Sequence, residues 1–144
     1  SDGLADCLVR RVKVEPSYGS YGLILANPPQ LRQIFLNLFL NSLEAMPGGG
    51  RLTVSTDDNG AELTVTIEDT GKGISQEHLK RICDPFFTTK PNGTGLGLSI
   101  VRDLVRNHDG TLTFDSHLGL GTRCTLKFPL LHQPVVTSQP VTST

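Results

Sequence analysis

The sequence predicts an α+β domain, a two-layer α/β sandwich with helices packed on one face of a mixed, mainly antiparallel sheet. Three observations carry this prediction. Two stretches, 28–46 and 96–108, are rich in apolar residues and end in helix-stop signals, Pro47 in the first and Asp109-Gly110 in the second. Four short strand-like segments arrive as two pairs, 51–56 with 62–69 and 111–115 with 122–128. Each pair is joined by a glycine-containing turn, the signature of a hairpin. The order β, α, ββ, α, α, ββ therefore sets hairpins side by side and leaves the helices to cover one face.

Each element has its own local reason. Residues 8–14 form a first strand candidate, followed by a Gly/Tyr/Ser stretch and the short apolar run 23–25. Asn27-Pro28-Pro29 announces a helix, since Asn caps well and Pro is tolerated in the first turn. Pro47 and Gly48-Gly49-Gly50 stop it. Asp57-Asp58-Asn59-Gly60 is a good hairpin turn. A glycine loop then leads to a short helix capped by Ser75 and ending near Cys83. Residues 84–95 are an irregular Pro/Gly segment before the last helix and the closing hairpin. Residues 1–26 read as the N-terminal strand region of the same domain, 27–130 as its main body and 131–144 as a low-complexity tail, disordered by composition.

Composition removes several classes. The chain has 144 residues, 37% of them hydrophobic, which suits one ordinary domain. No apolar run approaches the ~18 residues of a membrane span, and no signal peptide is apparent. Thirteen basic and fourteen acidic residues give a net charge of −1, with no basic field for a nucleic-acid duplex. Cys7, Cys83 and Cys124 are odd in number and far apart, which argues against a disulfide framework or a zinc site. The chain begins at Ser1 rather than Met, which suggests a piece of something longer.

Three patterns carry chemistry. In the first helix Leu31, Ile34, Phe35, Leu38 and Leu43 form a core face. Gln33, Asn37, Asn41 and Glu44 run beside it at spacings of four, four and three, hence on one face. That stripe is either a solvated outer face or a buried polar site offering neutral oxygen ligands. In the second hairpin strand Leu63, Val65 and Ile67 alternate inward, which puts Asp69 on the inward phase. A carboxylate there is costly unless something donates hydrogen bonds to it. Asp69-Thr70-Gly71-Lys72-Gly73-Ile74 then lets backbone approach a flat ligand closely, or is simply a capped turn. Gly93-Thr94-Gly95-Leu96-Gly97-Leu98-Ser99 feeds glycine-rich backbone into a helix N-terminus, an arrangement suited to anions. Gly121-Thr122 opens the last strand, with Thr122 in phase with inward Cys124, Leu126 and Phe128.

These boxes, together with Asp84-Pro85-Phe86-Phe87-Thr88-Thr89-Lys90, stand in the order and spacing of a known family. Over about residues 27–130 the chain resembles the catalytic ATP-binding domain of sensor histidine kinases, in the GHKL superfamily, with its Bergerat-type ATP fold. The resemblance implies ATP and Mg²⁺ as ligands and assigns roles by position. Asn41 would ligate Mg²⁺ through its amide oxygen, and Asn37 would help position metal and phosphates. Asp69 would accept the exocyclic amine of adenine. Gly71 and Gly73 would give room for base and ribose, with Ile74 beside them. Phe86 and Phe87 would sit in a lid over the nucleotide. Gly93, Thr94, Gly95, Leu96, Gly97 and Leu98 would hold the phosphates, and Thr122 would support the adenine end.

The chain also departs from the family pattern. Many members carry a basic residue where Glu44 stands, so phosphate contact would fall to Lys72 or Lys90. The short span from Ile74 to Gly93 and the 84–90 run resemble the nitrogen-regulation type. Asn37 stands where the ATPase branch carries a Glu, and an amide cannot act as the general base hydrolysis needs. A phosphotransferase is therefore favoured over a topoisomerase- or chaperone-like ATPase; a serine-phosphorylating anti-sigma-like kinase uses the same boxes. None of His78, His108, His117 and His132 has the Glu-x-x-x-Pro context of a phospho-acceptor, and all four read as surface residues. The implied partners are a histidine-containing dimerisation domain of the parent kinase and, indirectly, a response regulator. Nucleic acid and direct membrane contact are not implied. The expected location is cytoplasmic, whether or not the parent is membrane-anchored.

Overall fold

A computed structural model describes residues 12–18, 24–88 and 97–131. In chain order the elements are β1 (Val12–Tyr18), α1 (Pro28–Glu44), β2 (Gly50–Asp58), β3 (Glu62–Asp69), α2 (Gln76–Leu79), α3 (Gly97–Asn107), β4 (Thr111–His117) and β5 (Gly121–Pro129). The strands form one sheet in the order β1-β2-β3-β5-β4. β1 runs parallel to β2, and every other pairing is antiparallel. The sheet is mixed and mainly antiparallel, as the sequence predicts.

The core forms where the inward phase of the strands meets the apolar stripes of α1 and α3. Ile34 and Leu38 from α1, Val101 and Val105 from α3, and Val65, Ile67, Leu126 and Phe128 from the sheet are all buried. Each full burial of such a side chain is worth ~1.5–3 kcal/mol. On the other sheet face Thr64, Thr66 and Glu68 are half-buried, and Glu68 pairs with Arg123 at 2.9 Å. One cross-strand row of the inward face differs from its neighbours. It reads Leu52, Asp69, Thr122, Ser116, so polar groups from three adjacent strands meet at one end of the core.

Several element ends differ from expectation. Asn27 caps α1 as predicted, accepting from the Gln30 N–H at 3.0 Å, with prolines in the first turn. The helix stops at Glu44 rather than residue 46, because Ala45 closes it and Pro47 cannot continue it; Met46 instead drops into the core. The first strand runs past residue 14 to Tyr18, with Pro16 tolerated on an edge strand; residues 8–11 lie outside the described residues. Ser75 caps α2, accepting from the His78 N–H, but regular helix ends at Leu79 and the chain goes on through single turns to Phe87. The tail from 132 onward lies outside the described residues.

One expectation about the histidines fails. His108 is buried, 8% exposed. Its Nε2 accepts the Asn27 N–H at 3.1 Å, so the ring hydrogen sits on Nδ1, which donates to the Leu104 carbonyl at 2.8 Å. It ties the end of α3 to the start of α1. Its place beside the Asp109-Gly110 turn predicts a surface residue, and the bond to Asn27 is what buries it. His78 is half-buried and His117 exposed, while His132 lies outside the described residues.

Candidate functional site

A cavity of about 660 Å³ opens between α1, the ends of β3 and β5, the 70–75 loop, α2 and the start of α3. Asn37, Asn41, Glu44, Asp69, Lys72, Gly73, Ile74, Phe87, Gly97, Leu98 and Thr122 line it. Its size falls within the range of small-molecule pockets, ~300–1,000 Å³. Ile67, Phe114, Ile82 and Cys124 supply an apolar floor. Burial pushes the Cys124 thiol far above its ordinary range, so it serves there as an apolar group rather than a nucleophile.

Asp69 is the charged group at the deep end. It is 8% exposed, and burial raises its carboxyl above the usual range. Three donors offset part of that cost: the Gly71 N–H at 2.9 Å, the Ser42 hydroxyl and the Thr122 backbone. A carboxylate has about four acceptor sites, so a fourth donor can be taken from the cavity. This is the physical answer to the inward phase of residue 69.

The stripe on α1 divides. Asn37, Asn41 and Glu44 face the cavity, whereas Gln33 is exposed outside it. Asn37 and Asn41 are half-buried there, as the buried-site reading expects, whereas Glu44 reaches the cavity rim from an exposed position and Gln33 follows the solvated-face reading. Asn37 is held at both ends of its amide: Oδ1 accepts from Gln33 at 2.7 Å, and Nδ2 donates to the Gly97 carbonyl at 3.2 Å.

The glycines of the 69–74 loop let other parts of the chain approach closely. A Cβ on Gly71 would lie 2.6 Å from the Ala45 carbonyl and 2.9 Å from Asp69 Oδ1. Gly73, at φ 75°, packs on the His117 carbonyl. The room they make is occupied by the protein's own backbone, which docks the loop on α1 and on the β4–β5 hairpin. Lys72 N–H to Ala45 O at 3.0 Å and Gly119 N–H to Lys72 O at 2.7 Å complete that docking.

Phe87 touches both His78, edge-on at 5.4 Å, and the Arg81 guanidinium, 4.7 Å from its ring centre. Phe86 lies outside the cavity lining, 74% exposed with φ 68°. Lys90, Gly93, Thr94, Gly95 and Leu96 lie outside the described residues. Two polar residues escaped the sequence reading, Ser42 and Ser116. Both carried a signal: Ser42 continues the buried 34–38 spacing of α1, and Ser116 falls on the inward phase of Leu112 and Phe114.

A cavity of this size with a buried, partly satisfied carboxylate at one end, and with amide side chains and an adjoining helix start along one wall, defines a polar small-molecule site. Residues 26–132 match the family described as "Histidine kinase-, DNA gyrase B-, and HSP90-like ATPase", and the chain belongs to it. It is 42% identical over 107 residues to the sensor histidine kinase ZraS of Escherichia coli O157:H7, a match covering 74% of this chain and 23% of that protein. It is 41% identical over 108 residues to sporulation kinase C of Bacillus subtilis (strain 168), covering 75% and 25%. The chain thus spans about a quarter of the length of these relatives. Among solved structures, mycobacterial sensor histidine kinase MprB superposes with TM-score 0.77 at 26% identity, covering 90% of both chains. Full-length ShkA in complex with AMPPNP gives 0.75 at 26% identity, covering 90% of this chain and 29% of that one. No helix among the described residues is long and apolar enough to cross a membrane.

Proposed function

We propose that this domain binds ATP·Mg²⁺ and presents the γ-phosphate to a histidine on a separate helical dimerisation domain of its parent, from which a response regulator is served. The parent would then be a histidine kinase acting in two-component signalling in the cytoplasm, and this chain its phosphotransferase module, residues 27–130 with the 1–26 strand region. The observation that carries the reading is Asp69, whose remaining acceptor capacity points into the cavity and suits the exocyclic amine of adenine.

The other residues follow from the same cavity. Thr122 supports the base beside Asp69, with Gly71, Gly73 and Ile74 shaping that end. Asn41 offers a neutral amide oxygen, a hard ligand for a cation whose charge the phosphates already balance. No three His, Cys, Asp or Glu converge among the described residues, so the metal is expected to arrive on the triphosphate. When bound, Mg²⁺ would neutralise charge on the phosphates. Asn37 orients this end through its tie to Gly97. Gly93, Thr94, Gly95, Leu96, Gly97 and Leu98 would hold the phosphates at the start of α3, with Lys72 or Lys90 replacing the basic contact that Glu44 cannot make. Phe86 and Phe87 belong to the flap over the nucleotide. Transfer of this kind rests on positioning and electrostatics, and Asn37 supplies no base for water. The 84–90 run and the short span from Ile74 to Gly93 support a nitrogen-regulation-like subtype.

Calorimetric titration with ATP and GTP, with and without Mg²⁺, tests the proposal. Adenine-selective, Mg²⁺-strengthened binding is expected. Absence of binding to either nucleotide would overturn it.

A further inference from the structure

Ser116 is almost fully enclosed, 2% exposed, and its hydroxyl joins three hydrogen bonds. It lies 2.9 Å from the Gly121 carbonyl, 2.8 Å from the Ile74 nitrogen and 2.8 Å from Thr122 Oγ1. A hydroxyl has one hydrogen and two lone pairs. The Gly121 carbonyl can only accept, so it takes Ser116's single hydrogen. The Ile74 N–H can only donate, so it fills one lone pair. The Thr122 contact must then run from Thr122 to Ser116, with the Thr122 hydrogen filling the second lone pair. Nothing is left over on Ser116.

This settles what Thr122 can do on its cavity side. Its hydrogen is committed to Ser116, so Thr122 Oγ1 turns only lone pairs toward the cavity it lines. Asp69, its cross-strand partner, also presents acceptors there. We propose that Ser116 is a positioning residue for base selection: by fixing Thr122 as an acceptor, it makes the deep end of the cavity favour a purine amino group and disfavour a carbonyl. The inference rests on the ATP reading and adds to it a residue that does not touch the nucleotide. A 6-amino purine brings N–H donors to this pair of acceptors, directly or through water. A 6-oxo purine brings a lone pair, and leaves buried acceptors facing one another. Through Ile74 and the Gln76 amide, which donates to the Ser116 carbonyl at 2.8 Å, the same residue also holds the 73–76 loop against β4.

The test uses the whole 144-residue chain with ATP and ITP, which differ in the amino or oxo group at purine position 6 and in the hydrogen that the oxo form carries on N1. The unsubstituted chain should prefer ATP. Ser116→Ala frees the Thr122 hydroxyl to rotate and donate, and should shrink the ATP-over-ITP preference by about tenfold. In a Thr122→Val background, Ser116→Ala should leave the preference unchanged. If Ser116→Ala weakens ATP and ITP by the same factor, Ser116 only supports the loop and the inference is overturned. Nuclear magnetic resonance of the unsubstituted chain gives a readout that needs no variant to fold. A protected Thr122 hydroxyl proton close to the Ser116 β-protons is expected, and a Thr122 hydroxyl exchanging at solvent rates would overturn the acceptor assignment. Failure of the unsubstituted chain to bind either nucleotide would remove the ATP reading instead, and the Thr122 proton would still decide the hydrogen-bond direction.

Discussion

Asn37 on α1 donates its side-chain amide to the backbone carbonyl of Gly97 at the start of α3, which makes one residue of the polar stripe a tie between the two core helices. The same amide accepts from Gln33, so both its polarities are used. Asn37→Ala should therefore do two things at once. It should speed hydrogen exchange in the first turn of α3, and it should weaken ATP·Mg²⁺ by about tenfold through loss of positioning. Weaker binding with unchanged exchange would mean that Asn37 acts on the nucleotide alone.

Asp69 makes the domain pH-sensitive in a direction opposite to ordinary acid unfolding. Burial, the largest influence, raises its carboxyl pKa, while hydrogen bonds from Gly71, Ser42 and Thr122 pull it partly back. With a raised folded pKa, the folded chain keeps a proton that the unfolded chain has lost. Between the ordinary carboxylate value, about 3.9, and the folded value of Asp69, this group lowers the stability of the nucleotide-free domain as pH rises. ATP binding should strengthen over the same window and release protons, because the ionised carboxylate is the better acceptor. Denaturant melts against pH and titrations in two buffers of different ionisation heat would check both slopes. Asp69→Ala should abolish them and weaken ATP by about ten- to a hundredfold near neutral pH.

Gly73 and Gly60 both have positive φ, yet only one is crowded. A side chain at Gly60, φ 87°, meets open space, whereas at Gly73, φ 75°, it runs into the His117 backbone. Gly60→Ala should cost about 1 kcal/mol of stability from the backbone conformation alone. Gly73→Ala should cost at least ~2 kcal/mol, because the loop must leave the β4–β5 hairpin as well. Equal costs in urea unfolding would show that the loop yields without resistance.

Much of this site was legible because buried polarity interrupts an otherwise regular alternation. Asp69 stood out on the inward phase of Leu63, Val65 and Ile67, and the sheet gives it the predicted placement. Ser116 sits on the equivalent phase of β4, but a serine is too ordinary in a strand to draw notice until its three partners are seen. The glycines at 71 and 73 were legible as close approaches, but not what approaches: Ala45, well before the loop in sequence, and His117, well after it, fill the space, and no local pattern specifies them. The burial of His108 was hidden for the same reason, since its partner Asn27 lies 81 residues earlier.

On the proposed ATP·Mg²⁺ reading, Asn41 would serve the metal and Asp69 the base, since Asn41 lines the α1 wall of the cavity and Asp69 its deep end. Asn41→Ala should abolish the Mg²⁺-dependent gain in ATP affinity and leave metal-free adenosine binding within about twofold of its original value. Calorimetry with adenosine and with ATP, each with and without Mg²⁺, makes the comparison. Equal weakening of both ligands would show that Asn41 supports the helix rather than the metal.

The isolated chain should bind ATP without turning it over quickly or labelling itself. The Asn37 side chain is an amide already engaged with Gln33 and Gly97, so no base stands there for an attacking water. Nor do His78 and His108 suit a phosphoryl acceptor: both ring nitrogens of His108 are hydrogen-bonded, and His78 packs edge-on against Phe87. The missing component is then the acceptor rather than the pocket. Adding the parent's helical hairpin should give acid-labile phosphohistidine from labelled ATP. It should do so more slowly than the intact parent dimer, because separate pieces lose the effective concentration that a covalent link provides. Fast steady hydrolysis by the 144-residue chain alone, or stable label on His78, His108, His117 or His132, would instead identify it as an ATPase or a self-contained kinase.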